Sequence, residues 1–125
     1  MSGRVVHFEI PADDLARARE FYQSAFDWKL EPVPEMAYLM VSTTPTDDQG
    51  RPTEPGSING GMFERAEGLT TPVLTIDVDD IDTALETVTA RGGVMVRPRQ
   101  EVMGMGFTAY FKDTEGNLIG LWQNA

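Results

Sequence analysis

The sequence predicts an α+β fold of two tandem βαβββ modules within a single domain, residues 1–125, with module 1 over about residues 4–64 and module 2 over about 72–123. Three observations carry this. The segment from His7 to Pro32 reappears, without a gap, from Val73 to Pro98 at a constant offset of 66 residues, so that Asp14 falls on Asp80, Ala18 on Ala84, Leu30 on Val96 and Pro32 on Pro98. Each copy opens with strict apolar/polar alternation, the two-residue period of a half-buried strand. Each continues with apolar residues at helical spacing behind an aspartate able to cap the helix. A helix on one sheet face leaves the opposite face of each unit to line a concave space, where function is expected.

In the first copy, Val6, Phe8 and Ile10 point one way and Val5, His7 and Glu9 the other. Asp13 or Asp14 then caps a helix whose apolar residues are Leu15, Ala18, Phe21, Tyr22 and Phe26. Trp28–Pro32 and Met36–Ser42 read as strands around a proline-bearing turn. Thr43–Ser57 holds three prolines, two glycines and almost nothing apolar, the composition of a long polar loop or hairpin tip. Ser57–Phe63 is the fourth strand. The second copy repeats the order: strand Val73–Val78, a helix capped by Asp79 or Asp80 and ended by Gly92-Gly93, and strands Val94–Pro98, Phe107–Lys112 and Leu118–Gln123, with a turn at Asp113–Asn117.

Composition removes several function classes. Hydrophobic residues make up 41% and charged ones 24%, as in ordinary globular domains. The formal net charge of −10 opposes nucleic acid and anionic membrane surfaces, since binding phosphates takes a surplus of Lys and Arg. With no cysteine there is no disulfide, thiolate nucleophile or zinc-thiolate site. No stretch reaches the length of a membrane span, and Met1–Ile10 lacks the apolar run of a leader, so a cytoplasmic location is expected.

The strand carrying His7, the run D-D-L-x-x-A-x-x-F-Y from Asp13, the paired D-x-D-D-I-D-x-A ending in Gly92-Gly93, and the closing F-x-D-x-E-G-N-x-x-G-L-W-Q from Phe111 together resemble the vicinal oxygen chelate superfamily. That superfamily contains glyoxalase I, bleomycin-resistance proteins and extradiol dioxygenases, and the Gly-Leu-Trp-Gln ending is most similar to its predicted lactoylglutathione lyase-related branch. The resemblance implies two βαβββ modules wrapped around a half-barrel cleft, usually in a homodimer. Metal-dependent members hold a divalent ion through four side chains, one on the first and one on the last strand of each module. Carried over position by position, His7 matches, its counterpart in module 2 is Val73, the last-strand position is Gly120, and the module 1 counterpart, aligned through Asn59 and Asn117, is Met62. Valine and glycine offer no donor and a thioether is too soft for these ions. Glu9 shares the face of His7 at about 6.5 Å along the strand, an awkward spacing for one ion. No metal and no cofactor are expected.

The expected cleft residues are His7 and Glu9 as an acid–base pair, Glu9 favouring the protonated imidazole, with Tyr38, Met40, Met62, Thr75, Gly120 and Trp122 contacting a ligand. Plain readings stand beside these: His7 as a relic of a lost metal site, Trp122 as a plug of the cleft, Gly120 as small packing. Met103–Phe107 reads either as an adaptable thioether wall or as a loop without such a role. The acidic stretch Asp77–Asp82 reads better as strand end and helix cap than as a calcium site. The leading function is metal-independent binding of a small, partly aromatic molecule. The alternatives are a metal-dependent lyase or isomerase of the glyoxalase I type and a non-catalytic dimeric interaction protein with a closed cleft.

Overall fold

The computed structural model describes residues 3–125. Its elements follow the expected order twice: β1 (Val5–Ala12), α1 (Leu15–Phe26), β2 (Lys29–Pro32), β3 (Tyr38–Ser42) and β4 (Gly60–Glu64), then β5 (Val73–Asp77), α2 (Ile81–Ala90), β6 (Val94–Val102), β7 (Gly106–Lys112) and β8 (Leu118–Asn124). The chain forms two compact units. One runs from His7 to Pro72, and the other joins Val73–Ala125 to the described residues that precede His7.

In the first unit the strand order is β2-β3-β4-β1, with β4 parallel to β1 and antiparallel to β3. The parallel pair is possible because α1 and the two strands after it intervene between β1 and β4. Asp14, the second of the two candidate aspartates, caps α1: its carboxylate accepts the Arg17 amide at 3.0 Å. The helix ends at Asp27, whose φ of 60° turns the chain into β2. The helix-side core is Ala12, Leu30, Leu39, Val41 and Met62, packed by Phe8, Ile10, Leu15, Ala18, Tyr22 and Trp28. Two aromatics of the helix lie outside it. Phe21 and Phe26 are 57% and 60% exposed, with ring contacts to Tyr22 and, for Phe26, Trp28. Tyr22 fills that place, stacked on Trp28 with centroids 4.7 Å apart.

The second unit has the order β5-β8-β7-β6, with β8 parallel to β5. Asp80, again the second aspartate, caps α2 by accepting from the Asp82 amide and the Thr83 hydroxyl. Its core is Ile81, Leu85, Ala109, Phe111 and Leu121. Strand β6 runs past Pro98 to Val102, because an edge strand needs no amide hydrogen at a proline and its register shifts absorb the irregularity. Met103 and Gly104, both at positive φ, then form a two-residue turn closed by the Met105 amide on the Val102 carbonyl. This methionine segment is thus a tight hairpin turn. No helix among the described residues is long and apolar enough to cross a membrane.

The register corrects one placement. Met62 pairs with Ile10 and Leu39 on the helix side and is 0% exposed, whereas Gly61, the partner of Glu9 and Met40, and Phe63, the partner of Pro11 and Tyr38, take the opposite face of β4. Met62 is core, and it neither faces a ligand nor stands at the chelating position. Met62→Ala should therefore cost about 2–5 kcal/mol, read as a lowered urea midpoint, while Met40→Ala, at 47% exposure on the other face, should change stability by less than about 0.5 kcal/mol.

Candidate functional site

Alternation along β1 puts His7 and Glu9 on the face that α1 does not cover, and the β3–β4–β1 register puts Tyr38, Met40 and Gly61 there too. Tyr38 and the two β1 residues are separated by the whole of β4. They meet because β4 has no side chain at the crossing point. A Cβ on Gly61 would collide with the Tyr38 hydroxyl and ring, so glycine alone lets the phenol lie across β4 to reach β1. There the Tyr38 hydroxyl donates to Glu9 Oε2 at 2.7 Å and stands 3.1 Å from His7 Nε2. Glu9 is 7% exposed, and a carboxylate so enclosed demands hydrogen-bond partners.

The pairing expected from the sequence takes a different form. Glu9 does not hold His7 protonated. Desolvation lowers the imidazole to about 4, leaving it neutral at neutral pH, and Tyr38 stands between the two groups. Tyr38, expected as a ligand contact, is the link of the constellation. Its role had no local signal, since it depends on Gly61, a residue 23 positions on that reads as an ordinary strand glycine. Met40 lies exposed on the same face.

In the second unit, Thr75 and Gly120 are register partners on β5 and β8, and Trp122 pairs with Asp77. Thr75 is buried. A Cβ at Gly120 would stand 3.0 Å from Thr75 Oγ1 and 3.2 Å from Val73 Cγ1, so neighbouring side chains fill the space that the glycine leaves. The Trp122 ring lies over Gly106, and its indole N–H donates to Asn124 Oδ1 at 2.8 Å.

A divalent ion needs several nitrogen or oxygen donors converging on one point. Among the described residues no group of three or more His, Asp or Glu side chains is so gathered. In the first unit Gly61 stands where β4 would supply a donor, and the Nε2 of His7 and a carboxylate oxygen of Glu9 both engage Tyr38. Val73 and Gly120 supply none in the second. The residues present do not fit a chelate.

The model of the Glyoxalase/Bleomycin resistance protein/Dioxygenase superfamily matches residues 4–121. A glyoxylase-like domain-containing protein of Didymella fabae is 30% identical over 94% of this chain and 91% of its own length. A Vibrio cholerae protein named "Probable lactoylglutathione lyase" is 29% identical over 97% of this chain and 91% of its own. Among solved structures, the methylmalonyl-CoA epimerase of Mycobacterium tuberculosis superposes with a TM-score of 0.62 at 18% identity, covering 96% of this chain and 87% of that one, a likeness of fold.

Two outcomes test the geometry. Gly61→Ala should displace Tyr38 and destabilise the protein by about 1–3 kcal/mol, with a shift of the His7 ring resonances that Tyr38→Phe reproduces. The depressed His7 pKa also sets a pH dependence. The unfolded imidazole, near 6.5, binds a proton that the folded one refuses, so this contribution is intact above pH 6.5 and is lost as pH falls toward about 4. Its full size is on the order of 3 kcal/mol. Urea unfolding at pH 6.5 and 4.5 should show a smaller loss for His7→Gln than for wild type.

Proposed function

This chain belongs to the glyoxalase/bleomycin resistance protein/dioxygenase superfamily, and on that premise we propose that it binds a small, neutral, partly aromatic molecule without a metal ion, on the helix-free face of module 1. The observation that carries this is the hydrogen-bonded set His7–Tyr38–Glu9, held on the helix-free face beside the exposed thioether of Met40. The set presents polar atoms that can orient a ligand, while Tyr38 and Met40 offer it surface to pack against. A neutral ligand suits the site because His7 carries no charge at neutral pH and an anion would meet the Glu9 carboxylate. On the helix-free face of module 2, Thr75, Gly120 and Trp122 are proposed as a second ligand-facing surface. A cytoplasmic homodimer completes the proposal.

A metal-dependent lyase or isomerase of the glyoxalase I type is the second reading. It is favoured by the Vibrio cholerae relative's name and by the histidine retained at position 7. It predicts turnover of the methylglyoxal–glutathione adduct with added nickel or zinc. The metal-free binding reading predicts none.

A thermal-shift screen of small neutral aromatics tests the binding directly. A ligand at about 100 times its Kd should stabilise the fold by about 2.7 kcal/mol. Tyr38→Phe should weaken the response, and nickel or zinc should leave the Tm unchanged. A screen in which no compound raises the Tm would sink this function.

A further inference from the structure

The chain has no cysteine, so thioethers are the only sulfur donors it offers to an ion. Met62 is buried, whereas Met36, Met40, Met95, Met103 and Met105 are exposed. Among the described residues, only Met103 and Met105 flank a single residue, Gly104, on one turn. Met95 lies at the other end of β6, and Met36 and Met40 are set apart by Tyr38 and its neighbours.

Met103 occupies a position that its side chain does not favour. Its φ of 48° suits asparagine or glycine in a hairpin turn, and an apolar L side chain is strained there. Burial does not offset the strain, because Met103 is 58% exposed and Met105 59%. A Cβ at Gly104 would meet no atom within 4 Å, so the tip of the turn is open. The backbone beneath it is fixed. The Met105 amide donates to the Val102 carbonyl at 2.9 Å, the Met105 carbonyl accepts the Ala125 amide at 3.2 Å, and the Trp122 ring lies over Gly106. Two long, adaptable side chains with polarizable sulfur thus extend from one anchored turn.

We propose that Met103 and Met105 form a binding site for a soft monovalent metal ion, copper(I) by its chemistry, held between their two thioether sulfurs. Hard and borderline divalent ions need several nitrogen or oxygen donors converging on one point, and no such group of His, Asp and Glu side chains is gathered among the described residues. A closed-shell monovalent ion differs on both counts. It prefers sulfur, and two donors in line satisfy it. With one glycine between the donors, the second bond forms within the same turn, so the pair holds the ion more tightly than any single exposed thioether. The open tip admits the ion, and the fixed backbone below keeps the two sulfurs within reach of each other. A net charge of −10 concentrates cations of every kind near the surface, and the sulfur pair selects among them. The site uses none of His7, Tyr38 and Glu9, so it stands independently of the binding role proposed above.

The experiment titrates the full chain with silver(I), a redox-inert probe of the same charge and softness, in chloride-free buffer. A second titration uses copper(I) supplied as its acetonitrile complex under nitrogen. Proton NMR reads the methionine methyl groups, assigned through their bonds to the backbone. In the wild type the Met103 and Met105 methyls should move together and saturate at one equivalent, ahead of Met36, Met40 and Met95, while buried Met62 and the His7 ring stay in place. Met103→Leu and Met105→Leu should each bind silver at least about tenfold more weakly, and Met95→Leu should bind it as the wild type does. Leucine conserves the volume of methionine at exposed positions, so an unchanged Tm is expected of all three variants. Zinc and nickel should move none of these methyls. Shifts spread evenly over the exposed methionines, saturation at only one of the two, wild-type affinity in either turn variant, or an equal response to zinc would each overturn the site. The wild-type titration alone distinguishes the first two of these, with no variant required.

Discussion

The constraint on which the site depends is the passage of the Tyr38 ring over β4. Three chemical groups on two non-adjacent strands are joined only because position 61 has no side chain. Glu9 gains a donor inside an enclosed environment. His7 is kept apart from the carboxylate that would otherwise stabilise its charge. A charged imidazole in direct contact with Glu9 would have been an ion pair. The interposed phenol instead links the two through hydrogen bonds.

The two units show what duplication conserves and what it releases. Both keep the second aspartate as helix cap, the parallel pairing of first and last strand, and a helix-side core of aliphatic and aromatic residues. These features serve folding of any βαβββ unit. The helix-free faces differ. In the first unit a glycine makes room for a tyrosine to reach two titratable groups. In the second, Gly120 is closed over by Thr75 and Val73, and Trp122 is tied to Asn124 and laid on Gly106. The same structural economy, a glycine on the last strand, serves polar contact in one unit and dense packing in the other.

Chelating chemistry and the observed hydrogen bonds compete for the same atoms. A metal at His7 would need the Nε2 lone pair and further donors converging with it. The structure instead commits Nε2 to Tyr38, and the strand between them contributes no donor at Gly61. Membership of the superfamily therefore fixes the fold and leaves the chemistry to be argued from the residues.

The sequence by itself determined the α+β class, the doubled element order, the alternating faces of β1 and the superfamily, because local periodicity and a gapless repeat survive in one dimension. It narrowed each helix cap to two adjacent aspartates, and the structure chose Asp14 and Asp80. It misplaced Met62, because Gly-Gly-Met-Phe has no polar/apolar alternation and its facing is set by the register against Ile10 and Leu39. It marked Phe21, Tyr22 and Phe26 alike as apolar at helical spacing, and the structure packs Tyr22 against Trp28 while Phe21 and Phe26 stay exposed. Only the tertiary structure joined His7, Glu9 and Tyr38. Their link runs across an intervening strand, and the direction of a hydrogen bond is decided by which groups meet in space.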